Sequence, residues 1–339
     1  DILGYVRNSE YDQMTAVEYY RMYLPLREVN RSTEINAEVM SQSEIGEQWR
    51  DGEWSDDFLA GRDIYMHGRN VHENCDAYLD RLHEMGALMV MDCDDDLTET
   101  WRLVSGRGEE FKYTLSRVDY VTASTAPLAR LFGRYTRRPV TVLQNHVDVE
   151  WMQSLRSDRF GIIPEGVTVG FSGSPTHQHD WAIASTALSL IADSVVPMVH
   201  GDPPGYFTYV DGIVCLGYSP FSVYPAMLSQ FDILLCAVDT NDHFNDGKSS
   251  LKALEAMAVG AVPICSRFGP YMDLAETGAP LVIVEEDTQD GWFEAIRDLV
   301  EDEEKRTVLY QNGPSWVRDN RDMMESGYEL WADFYRSII

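Results

Sequence analysis

Phe244-Asn-Asp-Gly-Lys-Ser-Ser-Leu-Lys-Ala-Leu-Glu-Ala-Met-Ala-Val-Gly-Ala-Val-Pro263 is the stretch from which the rest of the sequence is best read. Asn245 or Asp246 can cap a helix and Gly260 can end one, so the spacing predicts a helix over 249–259. Leu251, Leu254 and Ala258 would share its buried face, and Lys248, Lys252 and Glu255 a second face. Lysines at the positive end of a helix and four residues apart repel one another, which costs stability unless an anion compensates. One resolution is a phosphate, cradled by the Lys248 ammonium and the backbone N–H groups of Ser249 and Ser250. The other is that both lysines are solvated or paired with the abundant acids; the strand–loop–helix setting favours phosphate.

Outward from this stretch, short β-branched runs alternate with amphipathic helical ones, the pattern of parallel sheets covered on both faces by helices, so the class is α/β. In the first half strands are expected near 2–6, 64–67, 87–91, 120–122 and 140–143, with helices near 15–28, 73–85, 111–116 and 126–135. The polar segment Asp148–Gly166 is the linker candidate. A second series follows, with strands near 167–171, 195–199, 212–216, 233–237, 262–265 and 281–284 and helices near 181–191, 223–228, 249–259 and 292–300. From Ser315 to Ile339 the pattern is helical and anchored by Trp316, Trp331, Phe334 and Tyr335. A chain of 339 residues suits two domains. They are expected at 1–155 and 156–314, both Rossmann-like and doubly wound, with 315–339 returning to the first.

The 56 acidic residues against 27 lysines and arginines give a formal charge of −29, which disfavours extended contact with a polyanion. Five cysteines, Cys75, Cys93, Cys215, Cys236 and Cys265, have no paired metal-ligand spacing and read as buried reduced thiols of a cytoplasmic protein. No apolar run has the length of a membrane span, and the N-terminus has no signal-like pattern.

The Phe244–Pro263 stretch resembles the C-terminal signature of family 4 and related group 1 glycosyltransferases of the GT-B fold, a loop followed by a helix ending Glu-Ala-Met-Ala-x-Gly. The resemblance implies two Rossmann-like domains facing a cleft, with a C-terminal helix packing across both. It also implies a nucleoside diphosphate sugar as donor, with Glu255 on the ribose hydroxyls and the helix N-terminus toward the diphosphate. This chain departs from the pattern in two places. Gly260 and Pro263 are separated by two residues rather than one, and the Glu that the family commonly carries eight positions before Glu255 is Gly247 here.

Three further stretches are similar to the same superfamily, in the same order. Val169-Gly-Phe-Ser-Gly-Ser-Pro-Thr-His-Gln-His-Asp180 would bring Gly173 and Ser174 close to the donor phosphates, or is an ordinary strand-to-helix turn. His177 and His179 replace the basic residue common in that loop, and no third ligand is spaced to make them a metal site. Val118–Thr125 followed by Val142–Trp151 would bring Asn145 and His146 to the cleft mouth, as cleft residues or as simple loop caps. Met91-Asp-Cys-Asp-Asp-Asp-Leu97 sets carboxylates at the end of a strand, where α/β sheets gather ligand-binding groups, or forms a solvated acidic loop. Asp95 or Asp94 would act on the acceptor hydroxyl, with Asp96 on the acceptor side and Lys248 stabilising the leaving diphosphate. A metal-binding Asp-x-Asp reading is discounted because the donor signature lies far downstream; no obligatory metal is expected and Mg²⁺ is optional.

The implied activity is transfer of a sugar to an acceptor hydroxyl with retention of configuration, a hexosyltransferase-type reaction. The acceptor would be a glycan, a protein or a small molecule. A modified DNA base is a further candidate: acidity opposes it, while Arg130, Arg134, Arg137 and Arg138 form a basic cluster that also reads as a solvated helix end. The alternatives are a sugar-nucleotide epimerase of the same fold and a non-catalytic nucleotide-sugar-binding protein.

Overall fold

The computed structural model describes residues 1–6, 14–41, 49–50, 53–54, 61–69, 75–98, 108–173, 177–202 and 205–339. The chain divides into two compact units, one of Asp1–His146, Asp246–Ser249 and Met323–Ile339, the other of Val147–Asn245 and Ser250–Asp322.

In the first unit β1 (Ile2–Val6) leads through the helical turns α1 (Ala16–Glu18) and Tyr19–Tyr23, the latter π-helical, into α2 (Leu24–Ser32) and β2 (Ala37–Ser41). A small antiparallel pair, β3 (Trp49–Arg50) and β4 (Glu53–Trp54), precedes β5 (Ile64–Gly68), α3 (Cys75–Glu84) and β6 (Leu88–Cys93). Then come α4 (Gly108–Arg117), β7 (Tyr120–Ala123), α5 (Ala126–Phe132) and β8 (Thr141–Val142). The main sheet has six parallel strands in the order β2-β1-β5-β6-β7-β8. β2 is not among the expected strands. Its sequence, Ala-Glu-Val-Met-Ser, is half polar and sits at the sheet edge, where one side needs no covering.

Apolar burial explains the layering. Leu3, Tyr65, Met89, Met91 and Val121 on one sheet face form a core with Leu79 and Leu82 of α3, Phe111 and Leu115 of α4, and Leu128 and Phe132 of α5. On the other face Gly4 lets α2 come close: a Cβ there would lie 2.9 Å from the Met22 sulfur and would collide with Leu26.

The second unit begins with α6 (Val149–Ser154), capped by the Asp148 carboxylate on the Trp151 N–H, so part of the stretch read as linker is helical. It continues through β9 (Thr168–Gly173), α7 (Gln178–Ile191), β10 (Val196–Gly201), β11 (Val214–Cys215), α8 (Tyr224–Leu228) and β12 (Ile233–Cys236). α9 (Leu251–Val259), β13 (Val262–Cys265), α10 (Gly269–Glu276), β14 (Val282–Ile283), α11 (Gln289–Glu301) and α12 (Glu303–Arg321) complete it. After a π-helical turn at Met323–Gly327, α13 (Tyr328–Ile338) belongs to the first unit.

The second sheet is also six-stranded and parallel, ordered β11-β10-β9-β12-β13-β14. Trp181 and Leu188 of α7 and Trp292, Ile296 and Leu299 of α11 bury one face with Phe171, Val199, Leu235 and Ile264. Cys93, Cys236 and Cys265 are buried free thiols, whereas Cys215 is exposed because β11 is an edge strand; the side chain of Cys75 lies outside the described residues.

Among the described residues, no helix is long and apolar enough to cross a membrane.

Two strands of the second sheet approach with no room for a side chain. Gly170 in β9 pairs with Met198 in β10, and a Cβ on Gly170 would collide with the Met198 carbonyl and sit 3.0 Å from its nitrogen. Gly170→Ala is expected to destabilise the protein by roughly 3 kcal/mol, since backbone cannot yield as a side chain does. Calorimetry of the variant checks this, and an unchanged melting temperature would show that the strands are not packed this closely.

Candidate functional site

Strand order in the second sheet reverses between β9 and β12, and in open parallel sheets ligands bind beyond the carboxyl ends of the strands at such a reversal. β9 ends there in Ser172-Gly173. The Ser172 hydroxyl pairs with His200 Nδ1 at 3.0 Å, and His200 Nε2 with the Ser219 hydroxyl at 2.9 Å. Lys252, in the first turn of α9, donates its ammonium to the Ser172 carbonyl at 2.6 Å. Gly173 is needed for this approach: a Cβ would lie 3.2 Å from Lys252 Nζ, 3.0 Å from His177 Cδ2 and 3.1 Å from Trp181 Cζ2. Glu255, one turn further along α9, is buried and accepts a hydrogen bond from the Tyr224 hydroxyl at 3.0 Å. Burial first, and Glu255 second, push the Tyr224 phenol well up, so it stays a donor. Two positively charged elements therefore meet at β9, the N-terminal turn of α9 and its lysine, and both suit an anion.

The expected residues fall as follows. Ser174 lies outside the described residues. His177 Nδ1 is 3.0 Å from Asp180, whose buried carboxylate also receives the Asp239 N–H and the Asn245 amide. Asn245 and Asp246 lie in a 3-10 turn at His243–Gly247, and neither caps the helix: α9 starts at Leu251 with Ser250 at its cap position. Lys248 thus precedes the helix and does not share a helical face with Lys252 and Glu255. Gly260, left-handed at φ +92°, does terminate it. Ser250 goes with the second unit, Lys248 and Ser249 with the first.

In the first unit the acidic run is divided among different partners. Asp92 is buried against Arg21. The Arg69 guanidinium donates to Asp94 Oδ1 from Nε at 2.9 Å and from Nη2 at 2.7 Å, and Nη2 also reaches Asp95. Arg69 does this from the left-handed region, φ +52°, a conformation rare outside glycine and associated with functional sites. Burial pushes the Asp95 carboxyl up; Arg69 and, less strongly, Lys248 oppose this by favouring its charge. Asp96 accepts from the Thr98 N–H and hydroxyl at 2.8 and 2.6 Å, a local turn. Asn145 and His146 are buried, Asn145 on Arg21 and Ser249 and His146 against Gly327. Gly247 is itself constrained: its carbonyl accepts from the Thr125 hydroxyl at 2.9 Å, and a Cβ would lie 2.8 Å from Leu128 Cγ. A glutamate has no room there. Among the described residues no group of three or more His, Cys, Asp or Glu side chains could hold a metal ion.

His200, Tyr224 and Arg21 are absent from the expected residues. His200 had a usable signal, a polar residue directly after an apolar run that reads as a parallel strand. Tyr224 and Arg21 had none, since each lies in an amphipathic helix and is turned inward by packing.

Desolvation, aided by the nearby Lys252 charge, lowers the His200 pKa to about 4. The unfolded chain takes up this proton near pH 6.5 and the folded protein only near 4. Between those values the unfolded state binds more protons, so stability is lost as pH falls, at about 1.4 kcal/mol per pH unit and about 3 kcal/mol in all. Denaturant unfolding of wild type and His200→Gln at pH 7 and pH 4.5 is expected to show a smaller acid loss in the variant. Equal losses would place the titration elsewhere.

Comparison with known proteins bears on the fold and on one segment of the sequence. Residues 211–316, less than half of the chain, match the family model described as glycosyl transferases group 1. Among curated proteins none matches in sequence. HepE from Anabaena, solved with UDP, superposes with a TM-score of 0.67 at 12% identity, covering 99% of each chain. Sucrose-phosphate synthase from Thermosynechococcus elongatus gives 0.66 at 10%, over 99% of this chain and 98% of that one. S. aureus TarM gives 0.55 at 13%, over 80% and 54%. At 10–13% identity these likenesses show the fold. By fold over its whole length and by sequence over residues 211–316, this chain is a GT-B-fold protein that resembles the group 1 glycosyltransferases.

Proposed function

We propose that the protein transfers a hexosyl group from a nucleoside diphosphate sugar to an acceptor hydroxyl on a glycan, a protein or a small molecule, with retention of configuration. The observation that carries this reading is that Tyr224, Lys252 and Glu255, all from the group 1 segment, are held on or beside Ser172-Gly173 at the strand-order reversal. Lys252 and the first turn of α9 would neutralise the diphosphate as it leaves, the charge that grows most in the transition state. Glu255, oriented by Tyr224, would hold the ribose hydroxyls. In the first unit Asp95, with Asp94 and Arg69, would orient the acceptor hydroxyl and take its proton; a raised carboxyl pKa suits a base. The reading includes a cytoplasmic setting and no obligatory metal.

Gly247 favours a second reading, donor binding without transfer, because Leu128 fills the space a glutamate side chain would need. One experiment separates the two. HepE was solved with UDP and with UDP-glucose, so uridine nucleotides lead the panel.

At a donor concentration of about 100 times Kd the folded state gains about 2.7 kcal/mol, a rise in Tm of several degrees. Lys252→Met and Glu255→Gln, which keep side-chain volume, are expected to abolish the rise. Release of nucleoside diphosphate with a new glycosidic product then establishes transfer; a thermal shift with no product over an acceptor panel supports binding alone. No shift with any nucleotide sugar would sink both.

A further inference from the structure

Arg21 occupies a place where an amphipathic helix normally buries an apolar residue. The π-helical turn Tyr19–Tyr23, in which the Leu24 N–H reaches back to the Tyr19 carbonyl, turns it inward until it is 1% exposed. Turns of this kind recur at functional sites. Nε and Nη2 of the guanidinium hold both oxygens of Asp92, at 2.9 and 2.6 Å. Nη1 holds the Leu143 carbonyl at 2.6 Å and Asn145 Oδ1 at 2.8 Å, and the guanidinium carbon lies 4.9 Å from the centre of the Trp331 ring.

A buried ion pair is a weak source of stability, because desolvation takes back most of the Coulombic gain. What it does supply here is direction. Asn145 accepts from Arg21 through Oδ1, which sends its Nδ2 the other way, and there it donates to the Ser249 hydroxyl at 2.9 Å. At the opposite end the Thr122 hydroxyl donates to Asp92 at 2.6 Å. Thr122, Asp92, Arg21, Asn145 and Ser249 form one chain of hydrogen bonds, most of it buried, whose amide orientation is dictated by a charge. Its end lies next to Lys248, in the tetrapeptide that Thr125 and Leu128 also hold at Gly247.

We infer that Arg21 is a positioning residue: acting through Asn145 it fixes Ser249, and with it the Asp246–Ser249 segment, in the geometry that the transfer reaction requires, without touching substrate. The kinetic consequence rests on the transferase reading above; the mechanical one does not.

The test uses the full chain with Asn145→Ala, Ser249→Ala and their double variant, and adds Arg21→Lys, which keeps charge and loses the fork. Asn145→Ala leaves Arg21 its Asp92 and Leu143 partners, so it tests the relay even if Arg21→Lys does not fold. In hydrogen exchange read by mass spectrometry, the peptide covering 246–249 is expected to exchange at least tenfold faster in Asn145→Ala, with β6 and β7 unchanged. In the transfer assay kcat is expected to fall at least tenfold with donor KM within threefold, and the double variant to be no slower than the slower single. Unchanged exchange at 246–249 overturns the inference whatever the activity. Single effects that multiply in the double variant overturn it as well. Absence of transfer in the wild type counts against the transferase reading, and the exchange result still decides the relay.

Discussion

Strands that pair only in parallel must be joined by connections that cross a face of the sheet, so both faces are covered and the central strands are mostly apolar. That constraint governs this molecule twice. In each unit six parallel strands are sandwiched by helices. Polar side chains that the core rejects collect where the strands end. Ser172, Gly173 and His200 stand at the ends of β9 and β10, and Asp92 and Arg69 at the ends of β6 and β5, followed by Asp94 and Asp95. The candidate chemistry is thus a consequence of the pairing direction.

Charge is arranged as economically as the core. A chain with a formal charge of −29 sets four aspartates within five residues at one strand end, a grouping that repulsion alone would expel to solvent. Instead they are divided among three partners. Asp92 is neutralised by Arg21 in the interior, Asp94 and Asp95 share Arg69, and Asp96 closes a local turn on Thr98. The shared pair keeps the partial exposure that a reacting group needs, at 12% and 21% for Asp94 and Asp95, and Asp96 is partly exposed as well. In the second unit the same logic runs with fewer charges: His200 is held neutral by burial and links two serines, while Lys252 and Glu255 stay on consecutive turns of α9.

Much of this was legible in the residues. Val262–Cys265 and Ile2–Val6 are strands with the bounds their β-branched runs suggest, and Gly260 ends its helix as only a residue at ease in the left-handed region does. β2 was not legible, because an edge strand with a half-polar sequence carries no periodic signal. Nor was the start of α9. Capping residues at Asn245 and Asp246 were available, but Asn245 is drawn to Asp180 and Asp239, and Gly247 to Thr125, so the helix begins later. Local capping propensity, worth about 1 kcal/mol, loses to buried hydrogen bonds of similar or greater strength.

By itself the sequence determined the class of fold, the order of most of its elements, and the segment from Phe244 to Pro263 in which a donor signature resides, because these depend on periodicity and on contacts between near neighbours in the chain. Tertiary structure alone decided which lysine meets the glycine at the end of β9, which aspartates stay partly exposed, and that Arg21 rather than an apolar residue belongs beneath Asp92. Those outcomes depend on distances between residues far apart in the chain, 124 positions in the case of Arg21 and Asn145, and no local pattern in a chain encodes which of many distant partners a buried charge will find.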